Sequence, residues 1–163
     1  MSGNYKFMDF SKIKWSWQEL LFALENNLIS RKDIIKYAIH TLDEGILGFD
    51  IVLKIAIADE YENIFPYFHE LISLEALEDA STIKDKWRYV ILKELHAKKS
   101  DSDDFNSITE EVYADFGYPE DMAGFIRHMP ITEGKSMEKS WQSYLSDAKK
   151  GLKTNKKKVF IHE

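Results

Sequence analysis

Helix-start signals recur along this chain and leave little room for strands. Ser16 and Glu19 form an S-x-x-E capping pattern, in which a hydroxyl and a carboxylate three residues apart satisfy the free amides of a first turn. Trp17, Leu20, Leu21, Leu24 and Leu28 follow at helical spacing and make one face apolar. Ser30 and Asp33 repeat the pattern ahead of Ile34, Ile35, Ala38, Ile39 and Leu42. Thr82 and Asp85 open another helix, with Ile83, Trp87, Val90, Ile91 and Leu95 on one side. Ser107 with Glu110 is a further start, and Gly117 stands where a helix-ending glycine belongs. Pro119 then permits a fresh first turn carrying Met122, Phe125 and Ile126. Met137, Trp141, Tyr144 and Leu145 outline a last helix that ends near Gly151.

Two segments admit more than one reading. Phe49, Ile51, Leu53, Ile55 and Ile57 alternate as a strand would, but Val52, Ala56, Ala58 and the helical neighbours favour a buried helix. Pro66 is tolerable only in a first turn, so a helix over 63–74 begins close to Ile64. The predicted fold is all-α, a single compact array of about seven helices compatible with stacked helical hairpins. The alternative is a mainly α fold with a small β element at 49–58 or 157–161. Residues 1–152 are expected to form one helical domain, and 153–163 a basic, frayed C-terminal tail.

At 163 residues the chain can bury roughly 70% of its unfolded surface in one core. It contains no cysteine, which excludes disulfides, thiolate metal sites and cysteine nucleophiles together. The start, Met1 to Phe10, has no apolar run suited to a signal peptide. No stretch approaches the ~20 apolar residues that a membrane helix requires. A soluble, cytoplasmic protein is expected, with no membrane partner.

Charge is distributed unevenly. Residues 101–134 hold nine carboxylates (Asp101, Asp103, Asp104, Glu110, Glu111, Asp115, Glu120, Asp121 and Glu133) against one base, Arg127, in a chain whose total charge is −6. Tyr113, Phe116, Tyr118, Phe125 and Met129 are interleaved with them. Such a field attracts basic proteins and repels nucleic acid. The lysines of 149–158 lack interleaved aromatics until Phe160, so they do not spell a nucleic-acid site.

No constellation spells catalysis. Asp101-x-Asp103-Asp104 fails as a calcium loop, because Phe105, Asn106 and Val112 stand where an oxygen ligand, a glycine and an acid are needed. His40, His69, His96, His128 and His162 are dispersed, and His69-Glu70 lacks the second histidine of a zinc-protease helix. His96 and Lys99 can meet one turn apart, as can His40 and Asp43. The glycines never gather into a phosphate-cradling loop. Glu110, Glu111 and Asp115 could in principle serve as acid and base on one helix, yet acids so spaced are usually a solvated face. No catalytic residue, metal or cofactor is expected.

The least generic stretch is Val112-Tyr113-Ala114-Asp115-Phe116-Gly117-Tyr118-Pro119-Glu120-Asp121-Met122, followed by Phe125-Ile126 and Met129-Pro130. It resembles a small bacterial family known only as a domain of unknown function, number twenty-two forty-seven. The resemblance covers most of the chain and brings no established chemistry. It implies a place among the immunity proteins that bacteria encode beside their toxins. The charge agrees, since a nuclease toxin must be basic to hold a polyanion and an acidic inhibitor suits the same groove. A plainer reading makes Gly117 and Pro119 helix punctuation and Tyr113, Phe116 and Phe125 core.

The expected function is therefore a non-enzymatic inhibitor that binds a basic toxin domain. Asp101, Asp103, Asp104, Glu110, Glu111, Asp115, Glu120 and Asp121 would steer the partner, with Tyr113 and Tyr118 as anchors. The alternatives are an adaptor module with a solvated acidic face and an enzyme with carboxylate or metal chemistry.

Overall fold

The structure, a computed structural model, describes residues 5, 8–101, 104–129 and 136–161, with side chains described as far as Lys153 and not at Asp101. Among the described residues the chain is all-helical. Seven α-helices follow in order: α1 (Trp17–Glu25), α2 (Arg31–Thr41), α3 (Phe49–Ala56), α4 (Phe65–Ser73), α5 (Ala80–Ala97), α6 (Phe105–Asp115) and α7 (Met137–Ile161). Short 3-10 segments lie at Phe10–Lys12, Lys99–Asp101 and Glu120–Phe125. No described helix is long and apolar enough to cross a membrane. Contacts gather the chain into two compact units, residues 9–79 and residues 1–8 with 80–163.

In the unit 9–79, both capping boxes form. The Glu19 amide donates to the Ser16 hydroxyl at 3.1 Å, and Glu19 accepts from the Ser16 amide at 2.8 Å. Ser30 and Asp33 make the same exchange at the start of α2. Glu75, just past α4, accepts from the amides of Trp17 and Gln18, so the free donors of α1 are met from across the unit. Gln18, itself buried, completes the clasp by donating to the Ala76 carbonyl and accepting from the Glu78 amide. The helices pack in sequence, α2 on α3 and α3 on α4, and α4 returns to α1. Leu20, Ile34, Val52, Ile55, Phe68 and Leu71 fill the core, and Trp17 presents its edge to Tyr37 and Phe68.

The ambiguous segment 49–58 is helix. α3 starts at Gly48, whose φ of +76° is open to glycine and strained for other residues. α4 opens at Phe65 with Pro66 in its first turn, as Pro66 requires.

In the unit of 1–8 and 80–163, α5 carries Ile83, Trp87, Val90, Ile91, Leu92 and Leu95 against α6 and α7. Two expected starts are displaced upstream. α5 begins at Ala80, which propagates helix upstream of Thr82. α6 begins at Phe105, because that ring packs on Trp141 at 5.5 Å and draws the chain into helix before Ser107. Tertiary contact here overrides the capping pattern. The end of the chain differs more. α7 continues through Gly151 to Ile161, where the sequence placed its end near Gly151 and offered a short strand at 157–161 as the alternative. An interior glycine costs only ~1 kcal/mol, and lysines near a helix C-terminus favour its negative end.

Candidate functional site

α6 ends in a full Schellman motif. The Gly117 amide donates to the Ala114 carbonyl at 3.1 Å and the Tyr118 amide to the Tyr113 carbonyl at 2.8 Å. Gly117 has φ +81° and Tyr118 has φ +57°, so two left-handed residues turn the chain. The left-handed region suits glycine but is uncommon for tyrosine. Here the closing contact is aromatic, with Tyr118 set edge-on against half-buried Tyr113 at 5.2 Å and 86°. The outcome is an aromatic ring 65% exposed on a pinned backbone.

The acids around this turn have different fates. Glu110 accepts from Arg127 Nε and Nη2 at 3.1 and 3.3 Å. Asp115, half-buried, accepts from the Tyr5 hydroxyl. Glu111 is half-buried, and its Oε2 has no hydrogen-bond partner. Asp121 is gripped on both oxygens by Arg88, with Nη2–Oδ2 at 3.0 Å. Glu120 and Asp104 are exposed, the latter at the start of α6. The Asp101 side chain and all of Asp103 lie outside the described residues. Of the two expected anchors, Tyr118 faces solvent and Tyr113 is half-buried beside it; Phe116, Phe125 and Met122 are core.

Behind Asp121 lies a polar arrangement that the sequence reading missed. Arg88 is buried, sits 3.6 Å from Asp85 and places its guanidinium over the Tyr144 ring at 5.2 Å. Burial raises the Tyr144 phenol far above its ordinary value, so it stays neutral, and its hydroxyl has no partner. Gly124 lets the Glu120–Phe125 turn approach α7, since a Cβ there would meet Ser140 Oγ at 2.7 Å. Phe125 stacks on Trp141 at 4.1 Å. A shallow cleft of about 400 Å³ opens beside them, lined by Asp121, Gly124, Ser140, Ser143, Tyr144, Asp147 and Ala148. Of its two carboxylates, Asp121 is committed to Arg88. At the other end of α5, His96 and Lys99 do meet, through Glu138 at 2.9 and 2.8 Å. Among the described residues no group of three His, Asp or Glu side chains could hold a metal.

A model described as an uncharacterized protein conserved in bacteria (DUF2247) matches residues 5–149. The chain belongs to that family. The match takes in the Tyr113–Tyr118 turn, the Arg88 network and the whole unit 9–79. No curated protein and no solved structure matches the chain.

A second acidic segment also escaped the sequence reading. Residues 43–79 hold ten carboxylates (Asp43, Glu44, Asp50, Asp59, Glu60, Glu62, Glu70, Glu75, Glu78 and Asp79) against Lys54 alone. Counting over residues 1–100 as a block conceals it, because basic stretches flank it on both sides. A sliding count would have found it. Arg88 left a fainter signal, a charged residue on the same helical stripe as Ile91, Leu92 and Leu95.

Proposed function

We propose that the protein is a non-enzymatic inhibitor of the immunity type, which binds and blocks a basic bacterial toxin domain in the cytoplasm. The observation that carries this reading is Tyr118. A large ring, 65% exposed, is held by a Schellman motif and by Tyr113, and exposed Glu120 stands two residues away. Rigid aromatics lose little entropy on binding and recur as interface hot spots, while nearby acids steer basic partners. A nuclease toxin is the first class to test, since its substrate groove must be positive.

The test is co-purification with the product of the adjacent upstream gene, followed by binding and protection measurements against that product. Association should be fast at low ionic strength and slow as salt screens the charges. Tyr118→Ala should raise the off-rate by about 30-fold, the equivalent of ~2 kcal/mol for an anchor. Glu120→Lys should act mainly on the on-rate. Unchanged kinetics and undiminished protection in both variants, with cooperative melting retained, would remove Tyr118 and its acids from the contact.

A further inference from the structure

α3 is apolar around most of its circumference: of its eight residues only Asp50 and Lys54 are polar. A helix of that composition normally lies buried on all sides. Here only Val52 and Ile55 are buried. Phe49, Leu53 and Ile57 recur every fourth residue along one side, half-buried at the first two and 72% exposed at Ile57. The ends of the α3–α4 hairpin extend the strip. At the turn, Tyr61 is 90% exposed and Phe65 opens α4 in solvent. At the other end, Leu47 and Leu74 are exposed, and the Cβ position of Gly48, the residue after Leu47, lies 3.2 Å from Leu74 Cδ1. The Phe49–Leu53–Ile57 ridge alone is about 12 Å long, at 1.5 Å of rise per residue. Contiguous exposed apolar surface rimmed by polar residues marks an interaction site.

The rim says what binds. Asp43, Glu44, Asp50, Asp59, Glu60 and Glu70 are exposed, and none of the ion pairs of the described residues engages them. Lys54, the segment's single base, leans over the Tyr67 ring at 5.9 Å. A second copy of this chain would bring the same acidic face, and symmetric pairing would set like charges together. An anionic membrane or a nucleic acid is repelled for the same reason. We infer that the α3–α4 face is a docking surface for a basic, amphipathic helical segment of a partner protein, whose apolar side covers the Phe49–Leu53–Ile57 ridge while its lysines or arginines meet the acidic rim. This rests on the partner's being basic, as proposed above, but assigns it a contact distinct from Tyr118.

The test uses the full chain and labelled model peptides, read by fluorescence anisotropy. One peptide carries leucines at i, i+3, i+4 and i+7 spacing with lysine elsewhere. A second replaces each lysine by glutamate, and a third scrambles the first. The Leu/Lys peptide should bind saturably and weaken about tenfold between low and high salt. The Leu/Glu peptide should not bind, and the scrambled one should bind at least about tenfold more weakly than the first. Ile57→Ser with Tyr61→Ser, both on exposed positions, should weaken Leu/Lys binding about tenfold while the protein melts as before. Tyr118→Ala should leave peptide binding unchanged, which separates this surface from the toxin contact. Equal binding of the scrambled peptide, or unaltered binding by the Ile57/Tyr61 variant, overturns the inference. So does a dimer of the unmodified chain that this variant dissociates, since the face would then belong to a second copy.

Discussion

Replacing Asp121 by alanine should destabilise the protein more than replacing Arg88, the partner that forms the centre of the pair. The reason is asymmetric burial: the Arg88 side chain is 10% exposed and that of Asp121 is 52% exposed. Asp121→Ala leaves a guanidinium largely shielded from water, held between Asp85 and the Tyr144 ring. Breaking a fully buried pair costs about 3–5 kcal/mol, and losing a surface pair costs ~1 or less. A pair with one open partner falls between, at about 2 kcal/mol. For a chain of this length that lowers the melting temperature by about 6 °C. Arg88→Met keeps the aliphatic stem against the core and frees Asp121 to hydrate. Its cost is chiefly the cation–π contact with Tyr144, about 1 kcal/mol. Once Arg88 is gone, Asp121→Ala should add almost nothing, so the double variant should resemble Arg88→Met alone. The assay is urea denaturation, followed by tryptophan fluorescence and circular dichroism, with m-values compared to confirm like transitions. Additive single effects, or an Asp121→Ala variant no less stable than Arg88→Met, would show that the contact does not compensate the buried charge.

Four further substitutions probe the same unit. Tyr144→Phe removes a buried hydroxyl that has no partner, so it should leave stability unchanged or raise it by up to ~1 kcal/mol. Burial raises the Tyr144 pKa, so its neutral form favours the folded state fully below about pH 10, and that contribution is lost as pH rises beyond it; the phenylalanine variant should resist alkaline unfolding better. Glu138 behaves oppositely: the Lys99 hydrogen bond, and then His96, hold its carboxyl below the ordinary 4.5, so its contribution is present above that pH and lost as acid protonates it. Glu138→Gln should flatten that part of the acid limb in a pH-dependent melt. Gly117→Ala and Gly124→Ala separate strain from space. The first places a Cβ in open solvent at φ +81° and should cost about 1 kcal/mol, whereas the second drives a Cβ into Ser140 and should also blunt the near-ultraviolet signal of Trp141 by displacing Phe125.

What could be read in the sequence was local. Ser16–Glu19 and Ser30–Asp33 form the boxes they spell, because both partners of each bond lie within one turn. Gly117 ends α6 for the same reason, and Pro66 lies in the first turn of α4. Where a distant ring intervenes, the local signal loses. Phe105 reaching Trp141 starts α6 ahead of Ser107, and no pattern within residues 101–110 contains that information.

Charge shows the same division between what is local and what is not. A count of carboxylates marks 101–134 as strongly negative, but formal charge is not field. Arg88, 33 positions away in sequence, grips Asp121, while Arg127 takes Glu110. Both cations are therefore spent on the acids that the count would offer to a partner. The segment 43–79 has nearly the same composition and a different outcome: Lys54 is turned to Tyr67, Arg31 donates to the Asp59 carbonyl at 2.6 Å, and the exposed acids Asp43, Glu44, Asp50, Glu60 and Glu70 enter no ion pair of the described residues. If electrostatic attraction guides a basic partner, the two segments should therefore differ in salt-dependent kinetics. Glu60→Lys should slow association with a basic protein more than Glu110→Lys, an equal change of charge at a site away from the 43–79 rim. Stopped-flow rates at two ionic strengths measure this, and a larger effect at Glu110 would mean that the Arg127 pair opens on binding and that the field of the 101–121 segment, not that of 43–79, does the steering.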